Sequence, residues 1–224
     1  MKDRLNLTEG RITEKLLKLS LPIMGTSFIQ MGYNMIDMIW VGKAGSKAVA
    51  AVGTAGFFPW LAMAFIMISK VGGEIKVAQS IGANNISTTK SYMKSAIEIN
   101  IILAIIYTIS LIVLNKQLIG FFRLGDLEVI TMSRQYLIIV ALGMVFYFIN
   151  PVFTAIFNGL GNSKTPFRIN TVGLITNIIL DPILIFGWGF APKLGVAGAA
   201  IATVFAQIVV TTVSYTHLRA HETL

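Results

Sequence analysis

Two aspartates lie inside apolar stretches of this sequence, where a charged side chain needs a chemical reason. Asp37 and Asp181 each interrupt such a run, and placing a carboxylate in hydrocarbon costs at least about 2.5 kcal/mol. Asn34 precedes Asp37 by three residues. Asn177 precedes Asp181 by four. In a helix, residues three or four apart share a face, so each aspartate has an amide beside it.

The chemistry that this arrangement favours is binding of a proton or a hard cation. Two carboxylates near each other in a low dielectric cannot both stay charged cheaply, so at least one binds a proton or both share a cation. The oxygens of Asp, Asn and Thr suit Na⁺ or H⁺ better than a soft transition metal. Thr176 and Thr203 could add hydroxyl oxygens at a similar depth. Asp37 and Asp181 would be metal ligands only if the ion is Na⁺.

The two aspartates occur at matching depths in their helices. Asp37 lies 15 residues after Pro22, and Asp181 lies 15 residues after Pro166, which places each about 22 Å from the same side of the membrane. Two alternatives stay open. Asp181 and Pro182 could form a turn at a broken helix, and Asp37 could reach water at the outer end of its helix.

The elements that must position these side chains are membrane-spanning helices. Hydrophobic residues make up 55% of the 224 residues and charged residues 12%, and a crossing needs about 20 apolar residues. The sequence predicts an all-α integral membrane protein, a bundle of six transmembrane helices. The predicted spans are Leu16 to Val41, Val49 to Ser69, Ser95 to Leu114, Gln135 to Gly159, Ile169 to Ala191, and Leu194 to Val213.

The positive charges predict the orientation of these spans. Twelve of the 18 lysines and arginines fall on the side of the N-terminus, which indicates a cytoplasmic N-terminus. We expect the membrane to be a bacterial inner membrane. The long connection from Lys70 to Lys94 would then be cytoplasmic. Because the cations lie between apolar spans, the net charge of +8 does not indicate nucleic-acid binding. The sequence contains no enzyme motif and no cysteine. We therefore expect neither catalysis nor a cofactor beyond the bound H⁺ or Na⁺.

Several other side chains suggest secondary roles. Glu98 follows Lys94 by four residues and Glu74 follows Lys70 by four, so both are expected to form ion pairs along a helix. Aromatic rings and methionines could line a cavity for lipophilic cations, although core packing is the common alternative. These are Phe57, Phe58, Trp60, Tyr147 and Phe148, with Met24, Met31, Met35 and Met38 on the first helix. Bends are expected at Pro22, Pro59, Pro151 and Pro182.

The ordered motifs of the chain resemble the multidrug and toxic compound extrusion (MATE) family. The resemblance begins with LTEGRITEKLLKLSLP, YNMIDMIWVG and AVAAVG, and continues with GGEIKVAQSIGANN. It ends with NGLGNSKTP, NIILDPILIFGWG and LGVAGAAIATVFAQ, so that it covers Leu7 to about Val213. It implies one lobe, the N-terminal one, of a twelve-helix antiporter that expels cationic drugs in exchange for H⁺ or Na⁺ by alternating access.

The resemblance also implies roles for individual residues and for a partner. The family's cation-coupling positions match Asp37, Asn34, Asn177, Asp181 and Thr203, and its first-helix proline matches Pro22 as a hinge. The implied partners are the lipid bilayer, cationic substrates and a second lobe of six helices that this chain lacks.

The chain departs from the family pattern at its end. We expect residues 1–15 to be a cytoplasmic segment, 16–213 to be the six-helix lobe, and 214–224 to be a polar tail of foreign or truncated origin. Two other functions stay open at this point. One is a flippase for lipid-linked saccharides, and the other is a membrane scaffold that transports nothing.

Overall fold

The computed structural model describes residues 12–189 and 191–222, and these residues form seven α-helices. In chain order the helices are α1 (Ile12–Lys43), α2 (Ser46–Gly82), α3 (Ile86–Gly120), α4 (Leu127–Leu142), α5 (Met144–Gly159), α6 (Lys164–Phe186) and α7 (Val196–Glu222). The described ranges contain no β-strand. The predicted all-α fold is therefore confirmed.

Five of the six predicted spans correspond to single helices, but the fourth one is broken. Gly143 separates α4 from α5, and the axes of these two helices differ by 53°. The amide of Gly143 donates to the Val140 carbonyl at 3.0 Å, which is a tighter turn than that of an α-helix. The predicted fourth span, Gln135 to Gly159, is therefore formed by two helices instead of one. Six helical units remain when α4 and α5 are counted together.

The helices differ in how well they suit a membrane. Among the described residues, α2, α3, α6 and α7 are long and apolar enough to cross it, and the bent pair of α4 and α5 would be a fifth crossing. Helix α1 has 32 residues, but Gln30, Asn34 and Asp37 lower its hydropathy. A helix of this composition needs protein or water beside its polar face.

The loops are shorter than the sequence indicates. Helix α2 continues through Gly72 and Gly73 to Gly82, and α3 begins at Ile86, so the predicted long connection from Lys70 to Lys94 is wrong. Packing accounts for part of this difference, since a Cβ built on Gly73 would lie 2.9 Å from the Cβ of Ala96 on α3. Glycine lets the two helices approach closely, as is common in membranes.

The core consists of small and apolar side chains between α2 and its neighbours. Ala51, Ala55 and Ala62 on α2 have no exposed surface, and small residues of this kind permit close contact between membrane helices. Helix α3 instead exposes isoleucines such as Ile102 and Ile106, which suits contact with lipid.

The two predicted segment boundaries, at residues 15 and 213, lie near the ends of the chain. Helix α7 continues without a break past Val213 to Glu222, and α1 already begins at Ile12. Residues 1–11 of the predicted N-terminal segment and residues 223–224 of the predicted tail lie outside the described residues. The boundaries at 15 and 213 therefore stay predictions.

Candidate cation site and cavity

The fold brings the two intramembrane aspartates together. Helix α6 packs against both α1 and α7, so that Asp37 on α1 faces the helix that carries Asp181. Asp37 is 8% exposed and Asp181 is fully buried. The prediction that these residues share one region of the bundle is in agreement with this geometry.

The two predicted amides behave differently. Asn177 Nδ2 donates a hydrogen bond of 3.0 Å to Asp181 Oδ1, and both side chains have no exposed surface. Asn34 is exposed on the cavity wall, and among the described residues it makes no hydrogen bond to Asp37. The sequence suggests equivalent pairs, but only the α6 pair is closed by a hydrogen bond.

Several buried oxygen atoms in this region have no hydrogen-bond partner among the described residues. They are Asp37 Oδ1, Asp181 Oδ2, Asn177 Oδ1, Thr203 Oγ1 and the Tyr33 hydroxyl. Leaving a buried polar atom unsatisfied costs about 1 to 3 kcal/mol. Such a cluster of oxygens is what a proton or a hard cation would satisfy.

The donor set suits H⁺ or Na⁺ as a bound ion. Carboxylate, amide and hydroxyl oxygens are hard ligands. Within the described ranges, no group of three or more His, Cys, Asp or Glu side chains could hold a metal ion. If one of the two carboxylates is protonated, the remaining single negative charge matches a monovalent ion.

The structure disagrees with both structural alternatives for the aspartates. Helix α6 continues through Pro182 to Phe186, so Asp181 does not belong to a turn at a broken helix. The burial of Asp37 is inconsistent with a side chain that reaches water at the helix end. Thr176 is not part of the site, because its hydroxyl donates to the Val172 carbonyl of its own helix at 2.9 Å.

A cavity of about 630 Å³ opens beside the aspartates. Asp37, Asn34 and Thr203 line it, whereas Asn177 and Asp181 lie behind its wall. Helices α1, α2, α4, α5, α6 and α7 all contribute lining residues. The candidate site therefore has an accessible part on α1 and α7 and a fully buried part on α6.

The predicted aromatic lining is only partly correct. Trp60 and Tyr147 line the cavity. Phe58 and Phe148 are buried in the core, and Phe57 packs against Phe58 at 5.7 Å between ring centroids instead of facing the cavity. Of the four methionines, Met38 lines the cavity, and Met24, Met31 and Met35 are exposed elsewhere on α1.

Two further tyrosines lie in the region of the candidate site, and neither was predicted from the sequence. Tyr33 and Tyr136 line the cavity and lie within electrostatic range of both aspartates. Tyr33 is four residues before Asp37 in the sequence, which is a signal that helical spacing could have provided. Tyr136 is on α4, and no local spacing relates it to the aspartates.

A second polar group lies at another part of the cavity wall. Asn150 Nδ2 donates to the Gln207 side-chain oxygen at 2.6 Å and to the Gln207 backbone carbonyl at 3.0 Å. Thr211 Oγ1 donates to Asn150 Oδ1 at 2.7 Å. These bonds join α5 to α7. Since the partners are 57 and 61 residues apart, no local sequence pattern predicts these bonds.

The predicted hinge residue lies on an uninterrupted helix. Helix α1 continues through Pro22, and the Pro22 carbonyl accepts a hydrogen bond of 3.0 Å from Thr26 Oγ1. Proline leaves the carbonyl four residues earlier without its helical donor. Pro59, Pro151 and Pro182 are likewise inside continuous helices. The hinge role of Pro22 stays a prediction.

Ion pairs occur near the helix ends. Lys94 and Glu98 form the predicted pair at 3.6 Å. The predicted pair of Lys70 with Glu74 is not within ion-pair distance in the part of the chain that the structure describes, and Glu74 instead lies near Asn158. Lys47 contacts Asp126 at 2.9 Å and Glu128 at 2.5 Å.

Comparison with known proteins identifies one family. Residues 22–183 match the family model described as MatE. The chain is 32% identical over 199 residues to the probable multidrug resistance protein NorM of Thermotoga maritima. That alignment covers 88% of this chain and 42% of the relative. The FAD transporter of Shewanella oneidensis is 30% identical, with coverage of 96% and 47%.

A solved structure shows the same arrangement of helices. The crystal structure of MATE in complex with MaD5 superimposes with a TM-score of 0.84 at 27% identity. The match covers 96% of this chain and 48% of that one. The chain thus spans slightly less than half the length of the relatives that it matches.

Proposed function

Because the chain belongs to the MatE family, we propose that it is one lobe of a secondary antiporter that exports organic cations in exchange for H⁺ or Na⁺. The transport would use alternating access. It would need a second lobe of similar length, since this chain covers 42% of the Thermotoga maritima relative. The lobe would lie in a bacterial inner membrane with its N-terminus in the cytoplasm.

The observation that carries this proposal is the position of Asp37. It lies on the wall of a cavity large enough for a drug-sized molecule, and it lies close to the fully buried Asp181. A cation bound between these carboxylates and a cationic drug in the cavity would compete for the same negative charge. This competition provides the coupling that antiport requires.

The polarity of the cavity argues against anionic substrates. Among the described residues that line it there is no lysine or arginine, and Asp37 is its acidic residue. A flippase for lipid-linked saccharides must hold a pyrophosphate, which favours cationic side chains. The same argument disfavours a dinucleotide of the kind named for the Shewanella relative.

The proposal is tested by export of a fluorescent organic cation from a drug-sensitive host that expresses the full-length protein. Asp37→Asn and Asp181→Asn should each reduce ethidium export by at least tenfold, since each removes a carboxylate of the site. Glu98→Gln is the matched control, because Glu98 pairs with Lys94 away from the cavity. Wild-type export in both aspartate variants would rule out this mechanism.

The scaffold alternative makes the opposite prediction. If the lobe only packs against a partner, replacing both aspartates by leucine should be tolerated, because burying a carboxylate would then only be a cost. Proteoliposomes with an imposed pH or Na⁺ gradient distinguish the two coupling ions. Uptake that follows one gradient and not the other would identify the ion.

A further inference from the structure

The break between α4 and α5 lies directly against α7. A Cβ built on Gly143 would be 2.5 Å from Val204 Cγ2 and 2.8 Å from Val204 Cγ1, with the Cβ of Val204 at 3.1 Å. Carbon atoms in good contact are about 3.5 to 4.0 Å apart. Helix α7 can therefore occupy its position only because residue 143 has no side chain.

The requirement for glycine at this point concerns space and not backbone conformation. Gly143 has φ −89° and ψ −1°, which other residues also adopt. A rotation of Val204 would not remove the clash, because valine is branched at Cβ and both of its methyl groups are close. An alanine at residue 143 would therefore displace α7.

The contact lies next to a residue of the candidate cation site. Thr203 directly precedes Val204, and its buried Oγ1 has no hydrogen-bond partner among the described residues. Thr203 lines the cavity together with Asp37 and Tyr33. A shift of α7 at Val204 would move the Thr203 hydroxyl relative to the aspartates.

We propose that Gly143 is a positioning residue for the cation site, which acts by seating α7 so that Thr203 lies on the cavity wall that also contains Asp37. The inference rests on the proposed function for the presence of a bound cation. Gly143 does not line the cavity and acts only through the close contact with Val204. The contact at the break in the fourth span thus sets the geometry of a site whose two aspartates and threonine lie on α1, α6 and α7.

The experiment measures cation binding by the purified chain in detergent. The protein is titrated with Na⁺, and separately with acid, while its tryptophan fluorescence is recorded, because Trp40 lies three residues after Asp37. Gly143→Ala should shift the midpoint of the effective cation by about tenfold, as expected for one excess methyl group in a packed contact. Gly143→Ala with Val204→Ala should return it to within about twofold of the wild type.

Two further variants separate positioning from general damage. Gly72→Ala is the matched control, since nothing lies within 4 Å of a Cβ built there, and it should leave the midpoint unchanged. On a Thr203→Val background, Gly143→Ala should add no further shift, because its effect passes through the Thr203 hydroxyl. If Gly143→Ala does not fold, Val204→Ile adds one methyl group to the same contact and replaces it.

Each outcome decides between the hypotheses. A wild-type midpoint in Gly143→Ala would overturn the positioning role while leaving the proposed function intact. A shift that Val204→Ala does not restore, or that persists unchanged on the Thr203→Val background, would also overturn it. A wild-type chain that responds to neither cation would contradict the proposed function itself, and the positioning role with it.

Discussion

Asn177 donates a 3.0 Å hydrogen bond to Asp181 from one turn earlier in α6, and neither side chain has any exposed surface. This bond satisfies one oxygen of a carboxylate whose other oxygen, Oδ2, has no partner among the described residues. The α6 half of the site is therefore held in place by its own helix. The α1 half, around Asp37, has no equivalent bond among the described residues.

Replacing Asn177 by alanine should destabilise the protein and weaken cation binding. The change leaves Asp181 buried without its hydrogen-bond donor, which should lower the free energy of unfolding by about 1 to 3 kcal/mol. The measurement is thermal unfolding in detergent followed by circular dichroism. Thr176→Ala is the control, because the Thr176 hydroxyl only bonds to Val172 in its own helix. Equal losses in both variants would contradict a special role for the Asn177 bond.

The aromatic residues should separate into a binding residue and a packing residue. Trp60 is 69% exposed and lines the cavity, whereas Phe148 is fully buried. Trp60→Ala should weaken ethidium binding with little change in unfolding temperature, because it removes a ring that faces the cavity. Phe148→Ala should lower the free energy of unfolding by about 3 to 5 kcal/mol through the space that it leaves.

Ethidium titration and thermal unfolding of the same two preparations check this separation. If Trp60→Ala lowers the unfolding temperature as much as Phe148→Ala does, Trp60 is a packing residue. If Phe148→Ala instead changes ethidium affinity without any loss of stability, the assignment of the two residues is reversed.

The sequence predicted the parts of the site that depend on one helix at a time. The pairing of Asn177 with Asp181 follows from helical spacing, which is a local property. Tyr136 and the bond between Asn150 and Gln207 could not be found in this way, because they depend on which helices pack together.

The errors in the predicted fold have a similar physical origin. Gly72 and Gly73 resemble turn residues, but both lie inside α2. At Gly73 the close approach of α3 lets tertiary packing override local propensity. Gly143 is the opposite case. An isolated glycine in an apolar run is compatible with a continuous helix, so neither the bend at Gly143 nor its contact with Val204 on α7 could be predicted from the sequence.

Acid should weaken the link between α2 and the start of α4. Lys47 lies 2.9 Å from Asp126, and its hydrogen bond and charge hold the pKa of Asp126 below the usual value of 3.8. A carboxyl group whose pKa is lowered in the folded state stabilises the fold at pH values above 3.8. This stabilisation is lost as the pH falls through the folded-state pKa. The unfolding temperature of the wild type should therefore drop more on acidification than that of Lys47→Met.

Thermal unfolding at about pH 7 and at successively lower pH values tests this difference. Adding Asp126→Asn to Lys47→Met should reduce the acid response further, because the Glu128 amide still donates to Asp126 at 2.8 Å and lowers its pKa without Lys47. Parallel curves for wild type and Lys47→Met would show that the ion pair has no measurable share in stability, as is the case for many exposed pairs.

The orientation of the lobe can be tested directly, because the sequence contains no cysteine and any introduced thiol is the only one. Ala83 lies in the loop between α2 and α3, and Leu127 begins α4 on the other side of the bundle; both are exposed. With a cytoplasmic N-terminus, a membrane-impermeant maleimide should label Leu127→Cys in intact cells. Ala83→Cys should react only after the membrane is permeabilised. The reverse labelling pattern would invert the topology. Helices α1 and α6 would then run towards the cytoplasm. The two aspartates would lie about 22 Å from the outer surface instead of the inner one.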